Sequence, residues 1–580
     1  MWRLTKSRTG WLAIVLIGAM AVFVLRLFQL QIIQHEQYVS LAKSSQQRQF
    51  VLPAERGMIY MMDGQTPVAV VLNRTIYTVI ADPQVVKDDE RVQIIADLRA
   101  VAGGEVVKDL ESRLSNKKSR YEILAKNISK AQAERLKKKN FAGLLYQKGS
   151  IRSYPENGLG AHVLGFVNDA GDGQYGIEGA LNDKLKGKNG VLRSVTDVRN
   201  VPLTVGKDNV KVEPVAGENI VLSVDRNIQG FVEEALKDGV DEAGATEGSA
   251  IVMNPKNGQV LAMANYPTYS PAEYSKQDNV AVFMNNVTMS PFEPASVIKT
   301  FSFATAIDKG VISPSSTYYN TDCIQVEDRK MCNAIRGLTG TLTVQQAFSN
   351  SLNVGTITAI RKLGNGSQIN LTARRTMYDY FHNKFGFGEK TGIELNETTG
   401  YIYEPDSQEG NEVRYSAMTY GQSLNLTMVQ VAAGFSSVVN GGQYYRPTVI
   451  AGKIDTAGNL QKINNSAIRQ TVSNSTSEQM KSMLRYGRSH HFTSKSDKPG
   501  YNIGGKTGTA EIIVNGKYTQ KETAATYVGY GGTDTPEYVI MVRVSAPGKG
   551  RSLEGGLHAG PIFTNISNQM IDYLKIAPKV

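Results

Sequence analysis

Residues Trp11 to Leu25 form an uncharged apolar run, and this feature restricts the chain most, because so many hydrophobic side chains in one stretch are stable only in lipid or inside a core. Arg3, Lys6 and Arg8 precede the run; Arg26 and the segment LFQLQII follow it. The triplet Ala19-Met20-Ala21 has the look of a signal-peptidase site, but the apolar run continues past it, which favours an uncleaved anchor. The run is slightly shorter than the about 20 residues that span a bilayer. Thr9 and Gly10, with Arg26 snorkelling outward, lengthen it enough. The expectation is a membrane anchor over residues 9–33, with residues 1–8 in the cytoplasm and everything after it outside, as basic residues before the span require. No second apolar stretch of comparable length follows.

A chain of 580 residues exceeds one ordinary domain of about 100–200 residues, so several are expected. Apolar content of 41% and charged content of 20% fit folded globular material rather than disorder or a multi-span membrane protein. The net charge of +11 is thinly spread. Its densest cluster, Lys137-Lys138-Lys139, reads as a solvated helix face, and no aromatic-interleaved basic stripe suited to nucleic acid occurs. The six histidines show no ligand spacing with each other or with Cys323 and Cys332, so no metal site is readable. The two cysteines are close enough to close a small loop in an oxidising compartment, and disulfide and free thiols both stay open.

Residues 34–215 read as mixed, polar and turn-rich, without a catalytic grouping. Near Gly217 the texture changes: ENIVLSVD alternates as a strand, NIQGFVEEALKDGV is an amphipathic helix, and SAIVMNPKNGQVLAMANYP reads as two strands around Asn257-Gly258. Three late strands are expected in TAEIIV, ATYVGYGG and EYVIMVRVSAP, with a hairpin signal at Asn515-Gly516. Strands at both ends of a domain with helices between them predict an α+β domain over 216–580, helices packed on an antiparallel sheet.

Three short motifs carry chemistry. Pro294 is followed by a helical pattern that Gly310 can end, which puts Ser296 and Lys299 one turn apart on one face. A serine attacks only when a neighbouring base takes its proton, and a neutral lysine serves. Lowering a lysine from about 10.4 to near 7 costs roughly 4–5 kcal/mol, and burial with a second cation nearby is the usual means. Alone the motif is weak, since Ser40 with Lys43 and Ser115 with Lys118 match it too. What separates Ser296 is the downstream order. In AFSNSLNVGT, Ser351 and Asn353 are expected on a turn after a helix, a hydroxyl able to pass a proton and an amide able to bond a peptide. GGKTGTAE then leads into the first late strand: Lys506 supplies positive charge, Thr507 and Thr509 hydroxyls suit a carboxylate, and Gly508 lets a substrate backbone approach. Lys390-Thr391-Gly392 repeats three of these letters after a Gly-Phe-Gly loop and reads as a decoy.

S-x-x-K, S-x-N and K-T-G in that order resemble the signature of penicillin-binding proteins and serine β-lactamases. PVAGENIVLSVDRNIQ, YGQSLNLTMVQVAAGFSSVVNGG and GGLHAGPIF resemble the penicillin-binding transpeptidase domain; RGMI, RSYP, AHVLGFVN and YGIEG resemble the non-catalytic pedestal of class B members. The resemblance covers nearly the whole chain. It implies an elongated mixed α/β pedestal for dimerisation or partner binding over 34–215, and a serine β-lactamase-like transpeptidase domain over 216–580. It also implies Ser296 as nucleophile on a D-alanyl-D-alanine bond, Lys299 as base, Ser351 as proton relay, Asn353 holding the donor peptide, and Lys506, Thr507 and Thr509 binding the carboxylate. Backbone N–H groups of Ser296 and Thr509 are the implied oxyanion hole, where a lost donor costs about 3–4 kcal/mol. No cofactor is implied. Two positions depart from the pattern: Met61-Met62-Asp63-Gly64 ends the first pedestal motif, and Asn286 replaces the usual arginine of NRA.

Other readings stay in view. A class A β-lactamase places the glutamate of E-x-x-L-N between the second and third motifs, whereas here the pattern occurs at Glu178 to Asn182, in the pedestal. A D,D-carboxypeptidase shares the three motifs and lets water attack. A β-lactam sensor would need more spans and an output domain, and a silent scaffold would be expected to lose a motif residue. The resemblance implies stem peptides and β-lactams as ligands, and a polytopic membrane glycan polymerase and division proteins as partners. YGQSLNLTMVQ and FGFGEKTGIEL are more similar to the septal than to the elongation type.

Overall fold

Along Glu247–Met253 (β1), Ala250 and Val252 pack into one buried cluster while Ile251 and Met253 pack into another. Such strict alternation places a strand between two helical layers, each side chain period of 2 serving both faces. The computed structural model describes residues 8–38, 47–195, 210–514 and 517–579. In it β1 belongs to an antiparallel five-stranded sheet with Val260–Tyr266 (β2), Gly504–Val514 (β3), Lys517–Gly532 (β4) and Pro536–Ser545 (β5), in the order β2-β1-β5-β4-β3. Asn515-Gly516, the expected hairpin turn, lies outside the described residues; β3 and β4 on either side of it pair antiparallel.

One face of this sheet is covered by helices Arg226–Ala243 and Gly560–Tyr573, through Val232, Leu236, Phe563 and Ile566. The other face carries the helical layer with Phe301, Phe348, Phe387 and Phe435 at its core. The domain is therefore α+β. Asp225 caps the first of these helices by accepting from Asn227 and Ile228 N–H groups, at 2.9 and 3.2 Å.

A second sheet of seven strands, among the described residues, runs Leu460–Lys462, Ile450–Ile454, Asn219–Asp225, Ile59–Asp63, Thr66–Ala81 and Glu122–Ser129, with Leu144–Ser153 also paired to Thr66–Ala81. Residues 57–185 and 218–580 form one compact unit. Met61 is fully buried in it, and Asp63 accepts from Asn227 at 2.8 Å.

Residues 1–56 and 186–217 form the other unit. It contains a helix, Arg8–Phe28, that continues as a wider turn over Gln29–Ile33. Its 26 residues exceed the about 20 that cross a bilayer, and Leu12, Val15, Phe23 and Leu25 are exposed. A three-stranded sheet, ordered Gln47–Leu52, Gly190–Val195, Val210–Val212, completes it.

Candidate active site

Ser296 lies in a single 3₁₀ turn, Ala295–Ile298, that passes into the α-helix Lys299–Asp308 (α1). In a 3₁₀ turn residues i and i+3 eclipse, so Ser296 and Lys299 share a face more closely than in an α-helix. The turn is strained: Ala295 takes φ +54°, a left-handed conformation unusual for a residue with a Cβ. Its surroundings hold it there. Ala295 N–H donates to the Gly421 carbonyl at 3.1 Å, Phe292 exchanges both backbone bonds with Leu426 at 3.0 Å, and the Ser423 N–H donates to Glu293 Oε1 at 2.9 Å. Gly421 has φ +88°, and a Cβ there would collide with Ala295.

The second motif sits between helices Val344–Ser349 (α2) and Asn353–Arg361 (α3). Ser351 is at the turn, with φ +55°, whereas Asn353 is the first residue of α3 instead of a turn residue. The third motif lies inside β3, not before it, and β3 is an edge of the five-stranded sheet, so its outer backbone groups are available to an extended peptide. A Cβ on Gly508 would come within 2.8 Å of the Pro294 carbonyl; only glycine lets the strand run this close to the Ser296 turn.

These elements bring three motif side chains together. Lys299 is fully buried and donates to the Ser351 carbonyl at 2.5 Å, its Nζ lying 3.1 Å from Ser351 Oγ. Lys506, 5% exposed, donates to the same Oγ at 2.9 Å. One hydroxyl thus bridges two buried amines, and no carboxylate is among their described bonding partners. Burial, followed by the charge of Lys506, holds Lys299 well below the ordinary lysine range. Burial brings Lys506 down to about 7. The two titrate as a pair: the first proton to leave frees a base, and the second removes the remaining charge.

Asn353 Nδ2 donates to the Cys332 carbonyl at 2.9 Å, and Thr509 Oγ1 accepts from Gly555 N–H at 3.1 Å. Cys323 and Cys332 face each other in the hairpin of Cys323–Val326 with Arg329–Cys332 and are joined as a disulfide. Lys390 is exposed, while Thr391 and Gly392 bind the Glu397 carboxylate through two N–H groups and a hydroxyl at 2.7–2.9 Å; this copy of the letters closes its own loop. Ser115 and Lys118 are exposed on the surface, and Ser40 with Lys43 lies outside the described residues. Sequence reasoning does not single out Glu293, Gly421 or Gly555: the two glycines act through backbone contacts, and the Glu293 carboxylate accepts from Ser423, 130 positions away, a pairing no local pattern announces.

Two buried lysines that share the Ser351 hydroxyl, with Ser296 one turn from Lys299 and a sheet edge alongside, fit a serine acyl-transfer enzyme. Residues 248–568 match the penicillin binding protein transpeptidase domain and residues 51–222 match the penicillin-binding protein dimerisation domain. The chain belongs to the class B penicillin-binding proteins. It is 29% identical over 576 residues to Stage V sporulation protein D of Bacillus subtilis, covering 98% of this chain and 86% of that one. It is 27% identical over 566 residues to the peptidoglycan D,D-transpeptidase FtsI of Escherichia coli, covering 97% and 90%. The fold is similar to that of penicillin binding protein 2X from Streptococcus thermophilus, with a TM-score of 0.74, 22% identity and 91% and 80% coverage.

Proposed function

We propose that this chain is a peptidoglycan D,D-transpeptidase working through a serine acyl-enzyme, anchored by its N-terminal helix with residues 1–8 in the cytoplasm and the catalytic domain, residues 216–580, outside. Ser296 Oγ attacks the D-alanyl-D-alanine carbonyl as neutral Lys299 takes its proton. The C–N bond breaks, Ser351 passes a proton to the departing D-alanine nitrogen, and an amine of a second stem peptide then displaces Ser296. Lys506, Thr507 and Thr509 bind the terminal carboxylate, Gly508 admits the donor backbone against β3, Asn353 holds the donor amide, and the Ser296 and Thr509 N–H groups receive the oxyanion. β-Lactams acylate the same serine.

The observation that carries this reading is the Ser351 hydroxyl held by both Lys299 and Lys506. It puts one side chain from each motif within hydrogen-bond reach, which supports a proton path through Ser351. The name of a relative supports the substrate class: FtsI of Escherichia coli is called a peptidoglycan D,D-transpeptidase. Residues 34–215, as the pedestal, are proposed to receive a polytopic glycan polymerase and division proteins, with septal rather than elongation-type synthesis as the setting.

Labelling with a fluorescent penicillin tests the site. One covalent adduct is expected, on Ser296, absent from Ser296→Ala; equal labelling of that variant overturns the assignment. Lipid-linked glycan substrate with the partner polymerase tests the reaction: dimeric muropeptides are expected, and trimmed monomers alone indicate a D,D-carboxypeptidase.

A further inference from the structure

Helix α3 begins at Asn353, and its cap position is occupied by Leu352, which makes no side-chain cap. The first N–H groups of a helix need partners from elsewhere. One comes from a different element: Asn333, 2% exposed, accepts from the Val354 N–H through Oδ1 at 2.9 Å. One residue earlier, the Cys332 carbonyl accepts from Asn353 Nδ2 at 2.9 Å. The two bonds make a reciprocal clip, main chain to side chain in both directions, between the end of the Arg329–Cys332 strand and the start of α3. Asn333 is itself fixed, its N–H on the Asp322 carbonyl at 2.8 Å and its Nδ2 on the Thr321 carbonyl at 3.0 Å. The Cys323–Cys332 disulfide closes the hairpin that carries it.

We propose that Asn333 is a positioning residue for substrate recognition: by capping α3 it sets the plane of the Asn353 amide. With one Nδ2–H engaged by Cys332, the second N–H and the oxygen are left to a peptide-like amide of the donor. This rests on the proposed role of Asn353 in holding that amide. Asn333 touches neither Ser296 nor the lysines in any described bond, so its influence is on recognition of the acyl chain and not on the attacking serine.

The test compares acylation rate constants for benzylpenicillin, which carries a peptide-like acylamido group, and 6-aminopenicillanic acid, which lacks it. Asn333→Ala is expected to slow benzylpenicillin roughly 10–100-fold, the scale of a lost buried hydrogen bond, and to leave 6-aminopenicillanic acid within about 3-fold. Asn333→Ser, too short to reach, is a milder second variant expected to show the same selectivity. In Asn353→Ala, adding Asn333→Ala should cost nothing further. Equal slowing with both β-lactams, or additive losses in the double variant, would overturn the proposal. A parent protein that neither compound acylates would instead overturn the reading of the site as a penicillin-binding one.

Discussion

In the seven-stranded sheet Arg152 is buried with Glu178: Nε and a terminal nitrogen reach Oε1 at 2.8 and 2.7 Å, and the other donors go to Asn73 and the Gly57 carbonyl at 2.7 Å. In the cleft, Lys299 and Lys506 are buried just as deeply but meet a serine hydroxyl and carbonyl oxygens. The first region compensates its charge and the second does not. A paired guanidinium gains from its partner what it loses in hydration, so it serves rigidity. An amine without a carboxylate has only one way to relieve burial, which is to lose its proton, and this makes it a base. The difference teaches that burial by itself is not diagnostic of function; the identity of the partner is.

Replacing Lys299 should sharpen this contrast most. Lys299→Met is expected to slow penicillin acylation about 10²–10⁴-fold, the range for a lost general base, while raising the thermal midpoint because a desolvated amine is removed. A midpoint that falls would show that the lysine is a structural group. Glu178→Gln should do the reverse. Removing one partner of a buried pair costs about 3–5 kcal/mol, read by denaturant unfolding, yet Ser296 should remain the labelled residue. Unchanged stability would show that the Arg152–Glu178 pair does not compensate its charge.

The pH dependence of acylation tests the coupled lysines. At low pH both are protonated and no base exists, so the rate should rise as the first proton leaves, chiefly from Lys299, whose pKa lies well below the ordinary range. It should fall again above about 7, as Lys506 loses the charge that attracts the substrate carboxylate. Lys506→Arg keeps a charge at every accessible pH and should remove the alkaline limb; its persistence would assign that limb elsewhere. The smallest effect is expected for Lys390→Ala, within about 0.5 kcal/mol of stability and without change in labelling, since that lysine is exposed.

Much of the candidate site was legible in order and spacing. Ser296 and Lys299 one turn apart, the later Ser351 and Asn353, and GGKTGTAE ahead of a strand pattern are local facts, because helix and strand periods relate neighbours in sequence directly. The alternation in IVLSVD and SAIVM announced a sheet with helices. The decoy at Lys390 was separable by its loop context alone. The left-handed turns at Ala295 and Ser351 were not legible: neither residue type favours φ > 0, and both conformations are imposed by contacts with segments far along the chain.

The sequence alone determined which candidate groups are present, in what order they occur, and that an apolar helix precedes them, since side-chain chemistry and short-range periodicity belong to the letters themselves. Only the tertiary structure decided that one serine hydroxyl lies between two buried lysines, that Asn353 opens a helix capped by Asn333, and that strand Asn219–Asp225 joins Ile59–Asp63 in one sheet. The physical reason is that desolvation, long-range hydrogen bonding and strain depend on what packs against a residue, and those neighbours lie tens to hundreds of positions away.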